Sequence, residues 1–523
     1  LYRVKYEDED EEDLDANEIR TGFTLYQSLN GNGPTVATAL HVSGRQWETA
    51  TRSDCKSPMA QTWTKSNSWK TAQKMLPSTI GWGTANAIEG LASDIPTPKN
   101  LRSALDSALS GDWLRAIKKE FQVMFDFDVW EVAPRSDCRS RPISTTWVFK
   151  AKPNADGTVE RLKARLCARG FLQRYGTDFL GTFAPVARLS TIRLQVALST
   201  RFDLKMTHLD FKSAFLQGEL DVELYAELPD GWEILRDMFK DQRGITLQKD
   251  FVLRLKRGIY GLKQAGRIWY KRMSKGLTKL GFTRSPSDNC LFYMMNEDMT
   301  DVIFITTWVD DCIVSYNNAT TWQRVLKKIC KEFALGAGVD FEWCLGMAVT
   351  RDLKGGRTCL HQSLYVHNLI KTFGMETCNP VRTPADPNVT LSKDMSPTTE
   401  EDKEGMSNKP YRSLLGALLH LANFTRPDIS LAVGICARYA NCFGAEHWKA
   451  LKRIVRYLKG TIDPKTQFSP GLVYRRDKQL DVPIVGYVDS DYARCPDTRK
   501  STLGYVFLAA GGPIQWESSK QKI

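Results

Sequence analysis

Several features that would assign the chain to a class at once are missing from this sequence. It has no run of roughly 18 apolar residues, so it does not predict a membrane-spanning helix. The 12 cysteines include no C-x-x-C pair, which argues against a zinc site or a disulfide framework and predicts a reduced intracellular protein. No internal repeat is visible. The chain begins with Leu1 and lacks a basic-then-apolar signal region, so we expect a fragment of a longer protein or a translated relic.

What the sequence does carry is an excess of positive charge. The formal net charge is +12. The first 20 residues hold three basic and nine acidic side chains, a net charge of −6, so the rest of the chain carries +18. A basic body of this size suits a polyanionic partner such as nucleic acid, because neutralising phosphates releases condensed counterions. A solvated basic surface is the plainer alternative.

Composition predicts an ordered body behind a polar N-terminal region. Residues 1–20 alternate like a short strand and then become acidic, as expected for the remnant of a small upstream module. Residues 21–100 are rich in Ser, Thr, Gly and Asn without a sustained period, which predicts a poorly ordered linker. From there, Trp113, Ile117 and Phe121 follow a helical spacing and predict a packing helix without chemistry of its own. Further helical periods predict helices within residues 190–198, 411–422 and 429–439, whereas polar composition predicts a loop at 236–250 and a linker at 385–409.

Two acid-bearing stretches are the main candidates for chemistry. Residues 302–314 read as apolar β-rich residues, then Asp310 and Asp311, then apolar residues again, which predicts a hairpin with both aspartates at its tip. Asp210 follows a strand-like run 100 residues upstream of Asp310. Two-metal phosphoryl transfer requires carboxylates from separate strands that converge on ions about 4 Å apart. A solvated turn would explain the hairpin alone, but the second stretch favours a metal site.

Two basic segments suit phosphate groups. Residues 147–168 predict a hairpin with an Asp-Gly turn, and Arg161, Lys163 and Arg165 alternate on its second strand, so they share one face. Such a face suits a nucleoside triphosphate, although a solvated basic strand fits about as well. Residues 447–459 predict a basic amphipathic helix that suits duplex phosphates, with a solvated face as its alternative.

Nine short segments occur in an order that is specific when taken together. They are 147–150 (WVFK), 163–166 (KARL), 182–186 (TFAPV), 209–216 (LDFKSAFL), 261–265 (GLKQA), 309–311 (VDD), 425–429 (TRPDI), 456–461 (RYLKGT) and 499–502 (RKST). With these segments, the sequence resembles the reverse transcriptase of Ty1/copia-type LTR retrotransposons from about Trp113 to the C-terminus.

The resemblance implies an α+β fold, a right-hand polymerase with fingers, palm and thumb, followed by a truncated ribonuclease H-like α/β stub. Its implied boundaries are 127–373 for fingers and palm, 374–475 for thumb or connection helices and 480–523 for the incomplete ribonuclease H domain. Asp489 matches the first metal-binding aspartate of that domain. The later acidic residues of the nuclease are absent, so we predict no ribonuclease H activity.

The implied activity is RNA-directed DNA polymerisation, a nucleotidyl transfer from a dNTP to a primer 3′-hydroxyl. Asp210, Asp310 and Asp311 would be catalytic and would hold two Mg²⁺ ions, with Mn²⁺ as a substitute. The implied partners are an RNA or DNA template, a primer strand, dNTPs and other modules of a retrotransposon polyprotein, with no membrane. The implied location is intracellular, either a cytoplasmic virus-like particle or the nucleus.

The same resemblance assigns further binding residues. Lys163, Arg165, Phe215 and Gln264 would bind the nucleotide, with the Phe215 ring under the incoming sugar, where it would exclude a 2′-hydroxyl. Without the resemblance, Phe215 favours a core position. Trp308 would contact nucleic acid, as would Lys452 and Arg456 on the basic helix at 447–459. Residues 341–347 would form a palm-like strand beside the primer.

The sequence also departs from the family pattern. Gly266 stands where proline is expected, and Trp308 stands where tyrosine is usual. These departures motivate a second hypothesis, a catalytically inactive relic that at most binds nucleic acid. A two-metal polymerase that copies DNA is a third, because template choice is not encoded in three aspartates.

Overall fold

The structure is a computed structural model that describes residues 3–5, 11–13, 94–153, 158–298, 300–336, 338–476 and 484–522. The predicted linker before residue 94 and the Asp-Gly turn at residues 154–157 lie outside the described residues. The strands are β1 (Arg3–Lys5), β2 (Glu11–Asp13), β3 (Trp130–Pro134), β4 (Thr145–Pro153), β5 (Val159–Ala168), β6 (Lys205–Asp210), β7 (Glu219–Glu227), β8 (Phe251–Arg257), β9 (Thr283–Arg284), β10 (Leu291–Met295), β11 (Val302–Trp308), β12 (Asp311–Tyr316), β13 (Val339–Asp340), β14 (Trp343–Cys344), β15 (Met347–Asp352), β16 (Arg357–His361), β17 (Leu472–Arg475), β18 (Ile484–Ser490), β19 (Thr502–Ala509) and β20 (Gly512–Lys520). The α-helices are α1 (Leu101–Leu105), α2 (Ser110–Asp126), α3 (Leu189–Arg201), α4 (Arg236–Arg243), α5 (Ala265–Lys279), α6 (Ala319–Glu332), α7 (Ser363–Thr372), α8 (Glu400–Ser407), α9 (Tyr411–Phe424), α10 (Ser430–Ala437) and α11 (Ala445–Gly460).

The chain divides into two units whose segments interleave along the sequence. Unit 1 comprises Leu1–Val42, Val186–Phe211 and Leu277–Ile523, and unit 2 comprises Ser43–Pro185 and Lys212–Gly276. The sequence predicted domains that follow one another along the chain, and their boundaries stay predictions. The mixture of helices and strands confirms the α+β class, whereas the ribonuclease H stub stays a prediction.

Unit 2 is built around the apolar face of α2. Trp113, Ile117 and Phe121 are buried as their spacing predicted, and α2 packs against β5 of the two-stranded β4–β5 hairpin. The Phe121 ring also lies 5.6 Å from the Trp147 ring of β4. A three-stranded antiparallel sheet of order β3-β8-β7 completes the described part of this unit.

One element of unit 2 contradicts its prediction. Residues 236–250 were expected to form a polar loop, but residues 236–243 form α4. The Phe239 ring is fully buried and lies 5.0 Å from the Phe125 ring in an edge-to-face arrangement. A single buried aromatic ring therefore anchors a helix whose other residues are largely polar.

Unit 1 contains a six-stranded antiparallel sheet of order β13-β6-β12-β11-β10-β9. Residues 302–307 of β11 are all buried, which accounts for the continuous apolar run that predicted this strand. Helix α3 packs against β12 through buried polar contacts. The Gln195 side chain donates hydrogen bonds to the Ile313 carbonyl oxygen at 3.1 Å and to Ser315 Oγ at 2.9 Å.

The remaining parts of unit 1 are a four-stranded sheet (β14-β15-β16-β17), a helical cluster formed by α7 and α9–α11, and a three-stranded sheet (β18-β19-β20). Strand β20 is attached to α3 through a buried arginine. The guanidinium of Arg193 lies 4.0 Å from the centre of the Trp516 ring and donates to the Ile514 carbonyl oxygen at 3.2 Å. The Trp516 indole in turn donates to the carbonyl oxygen of Ala422 on α9 at 2.8 Å.

The helices predicted within residues 190–198, 411–422, 429–439 and 447–459 are confirmed by α3, α9, α10 and α11. The polar segment 385–409, predicted as a linker, contains α8. Among the described residues, no helix combines the length and apolarity needed to cross a membrane.

Candidate active site

The strand register of unit 1 brings the predicted aspartates together. Asp210 is the last residue of β6 and Asp311 is the first residue of β12. The two strands are antiparallel, and these two residues are direct partners across them. Directly opposed residues on an antiparallel pair have Cβ atoms roughly 5 Å apart on the same face. The register therefore brings together two acidic motifs that are 100 residues apart in the sequence.

Asp310 occupies the two-residue turn that joins β11 to β12. The residue before it, Val309, has a φ of +59°, a left-handed conformation that is strongly disfavoured for a β-branched side chain. Backbone hydrogen bonds hold both the turn and the end of the neighbouring strand β6. The Phe211 N–H donates to the Asp310 carbonyl oxygen at 3.0 Å, and the Gly336 N–H donates to the Asp210 carbonyl oxygen at 2.8 Å.

The three carboxylates create a negative potential at a buried thiol, that of Cys312. Cys312 is 1% exposed, and its thiol pKa is raised well above its usual value, chiefly by burial and then by the charges of Asp311, Asp310 and Asp210. Burial and the charge of Asp311 also raise the pKa of Cys344 to about 12. Three like charges above an apolar floor repel one another, and a bound cation would relieve that repulsion.

The chemistry and backbone positions of the three aspartates fit a hard divalent cation. Carboxylate oxygens are the ligands that Mg²⁺ prefers. The Asp311 carboxylate is turned towards a neighbouring strand residue, with Oδ1 lying 3.2 Å from Nε2 of His208. In the part of the chain that the structure describes, no three His, Cys, Asp or Glu side chains converge closely enough to hold an ion. Binding there would therefore require side-chain rotation at fixed backbone positions.

A cavity of about 590 Å³ opens beside Asp311. Its lining includes His208, Asp340, Trp343 and Cys344, contributed by β6, β13 and β14. The Trp343 ring is about half exposed, at 51%. The sequence predicted that residues 341–347 form a strand beside the primer. The structure has two short strands there, β14 and the start of β15.

The nucleotide-binding candidates of unit 2 meet on a tyrosine to which the sequence assigned no role. The Arg165 guanidinium lies 4.7 Å from the centre of the Tyr260 ring, and the half-buried Phe215 ring lies 5.4 Å from the same ring at an interplanar angle of 70°. Lys163 lies two residues from Arg165 on β5. Its pKa is lowered, chiefly by burial and then by the charges of Arg165 and Lys152. In the sequence, Tyr260 lies between Gly258 and Gly261 in the turn before α5. This position between two glycines is the feature that could have identified it as a candidate.

Gln264 does not present its side chain to a ligand in this structure. It is fully buried, and its amide nitrogen donates to the Asp178 carbonyl oxygen at 2.9 Å. Its amide oxygen accepts a hydrogen bond from Gln173 at 3.0 Å. In this structure, burial and satisfied hydrogen bonds make Gln264 an anchor for the segment around Asp178, and its contact with the nucleotide stays a prediction.

Gly266, the other departure in this region, lies in the first turn of α5. A Cβ atom there would make only an ordinary contact, 3.7 Å from Ala184 Cβ. An alanine would therefore fit at this position.

The three nucleic-acid-binding candidates lie in unit 1 with different surroundings. Trp308 ends β11, is half-buried and pairs across the hairpin with Asp311. Lys452 on α11 lies with its ammonium 5.7 Å from the centre of the Trp448 ring. The Arg456 Nε donates to the Asn379 carbonyl oxygen at 2.7 Å. The basic face of α11 therefore holds part of the chain near residue 379 in place, in addition to any phosphate contact.

Asp489 lies on β18, where it is exposed and pairs with Gly504 of β19. The adjacent Val488 is 75% exposed and Tyr487 is 61% exposed. Because neighbouring side chains on a strand point to opposite faces, both faces of β18 are open at this point. The role of Asp489 as a ribonuclease H remnant stays a prediction.

Comparisons with known proteins agree with the arrangement of motifs. The family described as reverse transcriptase (RNA-dependent DNA polymerase) matches residues 127–387. The retrovirus-related Pol polyprotein from transposon TNT 1-94 of Nicotiana tabacum is 32% identical over 432 residues, which are 83% of this chain and 31% of that protein. The putative transposon Ty5-1 protein of Saccharomyces cerevisiae is 30% identical over 314 residues, which are 60% of this chain and 93% of that protein.

The chain spans less than a third of the plant Pol polyproteins that it matches. A solved structure of the foamy viral protease-reverse transcriptase in complex with dsDNA is 14% identical, covers 98% of this chain and 78% of that chain, and has a TM-score of 0.39. The match to the family and the coverage of the yeast transposon protein are decisive: the chain belongs to the reverse transcriptase family of Ty1/copia-type retrotransposons.

Proposed function

We propose that this chain catalyses RNA-directed DNA synthesis, in which a primer 3′-hydroxyl attacks the α-phosphorus of a dNTP and pyrophosphate leaves. The observation that carries the proposal is the register that places Asp210 directly opposite Asp311, with Asp310 in the adjoining turn. This arrangement, on the family's own motif, supplies the carboxylates that nucleotidyl transfer needs.

Members of this family use divalent metal ions, and we propose that Asp210, Asp310 and Asp311 hold two Mg²⁺ ions. Bound there, the ions would supply charge neutralisation on the phosphates and alignment of the attacking oxygen. The chain's own contribution is to hold Asp310 and Asp311 on the β11–β12 hairpin and Asp210 on the adjacent strand β6, close to the buried Cys312. No side-chain general base is needed in this scheme.

The basic hairpin of unit 2 would bind the incoming nucleotide. Lys163 and Arg165 share a face of β5 and would contact the triphosphate through charge-assisted hydrogen bonds. Phe215, held edge-to-face against Tyr260, would limit the space at the sugar and so disfavour a 2′-hydroxyl. The proposed partners are an RNA template, a primer strand and dNTPs, together with the other modules of the polyprotein to which such a segment belongs.

Primer extension on poly(rA)/oligo(dT) with Mg²⁺ tests the proposal, with the double variant Asp310→Ala/Asp311→Ala beside the wild type. We expect template-dependent synthesis that the double variant abolishes. The matched control is Glu400→Ala/Glu401→Ala, which removes two adjacent exposed acids from α8 and should retain wild-type synthesis. Extension on poly(dA)/oligo(dT) distinguishes an RNA-copying from a DNA-copying enzyme.

The competing hypothesis is an inactive relic that binds nucleic acid, motivated by Gly266 and Trp308. It would be supported if the folded wild type bound a primer–template duplex in a salt-dependent manner but incorporated no nucleotide with Mg²⁺ or Mn²⁺. Restoration of synthesis by Trp308→Tyr would then assign the loss to that residue.

A further inference from the structure

Glu120 is a half-buried acid for which neither the sequence nor the proposed reaction gives a role. It lies on α2, the helix that packs against β5. The backbone N–H of Leu166 on β5 donates a hydrogen bond to its carboxylate. Its Oε1 atom is inaccessible to solvent and accepts no hydrogen bond within the described residues. The hydration that the carboxylate loses on burial is only partly replaced by this hydrogen bond. This position therefore favours the protonated, neutral form of the carboxyl group.

The helix that carries Glu120 packs against β5, the strand that carries the two cations that we assign to the triphosphate. Burial raises the pKa of Glu120 to about 7, while the charges of Lys163 and Arg165 act to lower it. In return, among the described residues Glu120 is the one anion whose charge raises the pKa of Lys163, whereas the charges of Arg165, Lys152 and Arg161 lower it. No direct ion pair forms, and the buried Nε atom of Arg165 also has no partner among the described residues.

Among the charged groups packed against this site, Glu120 is the one that we expect to change its protonation state near neutral pH. The Cys167 thiol on β5 has its pKa raised to about 11, chiefly by burial and then by Glu120, so it stays neutral. Helix α1, which also packs on α2, contributes Arg102, whose Nε lies 3.6 Å from the carboxylate of Asp106.

We propose that Glu120 is a proton-linked counter-charge for the nucleotide-binding face: at neutral to alkaline pH it carries charge when the face is empty, and it takes up a proton from solvent when a triphosphate binds to Lys163 and Arg165. The inference rests on the proposed function, because it takes those two cations as the triphosphate site. Glu120 touches no substrate and is a positioning residue that sets the net charge of the face.

The sign of the effect follows from linkage. A bound triphosphate adds negative charge near Glu120, which disfavours the carboxylate and favours its protonation. Nucleotide affinity should therefore be highest below pH 7, where Glu120 is already neutral, and should fall as the pH rises and Glu120 becomes charged. We expect the dTTP dissociation constant of the wild type to rise about fivefold between pH 6 and pH 8.5, at the low end of couplings between sites.

Rapid-quench incorporation of a single dTTP on poly(rA)/oligo(dT) with Mg²⁺ separates the dissociation constant from the maximal rate. We expect Glu120→Gln to hold the pH 6 affinity up to pH 8.5 with an unchanged maximal rate, because the amide is neutral yet still accepts the Leu166 N–H. Glu120→Asp, which keeps a carboxylate at this position, should show the pH dependence of the wild type. Asp126→Asn, at the exposed end of the same helix, is the matched control and should follow the wild type.

Calorimetry gives a readout that does not require catalysis. Binding of dTTP to the complex with a dideoxy-terminated primer is measured at pH 7 in MOPS and in Tris, whose ionisation enthalpies differ. The wild type should take up more protons per nucleotide than Glu120→Gln. Protons bound or released by dTTP itself are the same in both measurements, so they cancel when the uptake of one protein is subtracted from that of the other. Equal uptake, or the same pH dependence of affinity in both proteins, would overturn the role of Glu120 and leave the polymerase standing. A wild type that neither binds nor incorporates dTTP would overturn both proposals.

Discussion

Val309 shows how one residue can store strain at the proposed catalytic turn. Its φ of +59° places a β-branched side chain in the left-handed region, at a cost of about 1–2 kcal/mol relative to an allowed conformation. Such strain persists where surrounding structure over-determines the backbone and is concentrated at functional sites. Here the Phe211 N–H holds the carbonyl oxygen of Asp310, the residue after Val309. The conformation sets where the Asp310 carboxylate projects.

We expect Val309→Gly to raise the free energy of unfolding by up to about 1 kcal/mol, because relief of left-handed strain exceeds the entropy that glycine adds to the unfolded chain. Nucleotide incorporation should nevertheless fall, on the order of tenfold, because a looser turn holds Asp310 and Asp311 less firmly. Urea denaturation and single-nucleotide kinetics measure the two effects.

Ala493→Gly is the matched control, since Ala493 also has a positive φ, of +52°, outside the turn that carries the aspartates. It should gain stability in the same way and keep wild-type kinetics. A Val309→Gly enzyme with unchanged incorporation would show that the strained turn is not needed to place the aspartates.

At the residue scale, motif positions were predictable and long-range hydrogen bonds were not. Asp210, Asp310 and Asp311 stand out because charged residues in apolar strands are rare, and that contrast is local. The burial of Gln264 depends on the Asp178 carbonyl oxygen, 86 residues away, which no local pattern encodes. The carboxylate of Glu120 was likewise hidden, since one acid on an amphipathic helix ordinarily faces solvent.

At the element scale, helix α3 supports the strand that carries Asp311. The Gln195 amide bonds both the Ile313 backbone and the Ser315 hydroxyl, and Ser199 Oγ lies 2.8 Å from Ser315 Oγ. These polar groups are almost fully buried. Buried hydrogen bonds of this kind fix one relative position of helix and strand, where apolar packing alone would tolerate sliding.

We expect Gln195→Met to lower the free energy of unfolding by about 1–3 kcal/mol, because the Ile313 carbonyl oxygen and the Ser315 hydroxyl lose a buried partner. Incorporation should fall by about tenfold as β12 shifts. Urea denaturation and primer extension at saturating dTTP measure these effects.

Thr200→Val is the matched control for Gln195→Met. The Thr200 hydroxyl lies on the same helix but bonds Thr358 on β16 at 2.7 Å. Its loss should destabilise the protein to a similar extent while leaving kinetics unchanged. Equal losses of incorporation in the two variants would mean that stability alone, and not the position of β12, controls activity.

Elements with a sustained apolar period were predictable, and short polar helices were not. The stripe on α2 and the run in β11 are long enough to give a clear period. Helix α4 depends on one buried ring, Phe239, whose partners are distant in sequence. Helix α8 has no buried residue, yet its start was encoded locally, since the Thr399 side chain accepts from the Asp402 N–H at 3.1 Å as an N-cap.

At the scale of the whole molecule, the chain visits unit 1 and unit 2 alternately. A sequence read in order predicts domains in order, because local composition carries no information about which distant segments pack together. The Arg193–Trp516 contact illustrates this, since it joins α3 to β20 across more than 300 residues. Composition could predict a large basic body, but the assignment of segments to units comes from long-range packing alone.

The buried titratable groups of the two units predict opposite responses to pH. In unit 1, burial lowers the pKa of His361, His420 and His447. The Nδ1 atom of His447 accepts the Gly444 N–H at 2.9 Å, a bond that protonation at that nitrogen would break. Because the unfolded chain binds these protons more tightly, unit 1 loses stability as the pH falls from 6.5 through the lowered folded pKa values.

In unit 2, Glu120 works in the other direction. Its folded pKa of about 7 lies above its ordinary value of 4.5, so the folded state binds the proton more tightly. That contribution is fully present below pH 4.5 and is lost as the pH rises through 7. Each group changes stability by at most about 1.4 kcal/mol per pH unit.

Hydrogen exchange between pH 5 and 8, corrected for intrinsic rates, should show protection in unit 1 rising with pH and protection in unit 2 falling. Glu120→Gln should flatten only the second trend and His447→Gln should weaken only the first. If both units moved together, the two sets of buried groups could not be the source of the pH dependence.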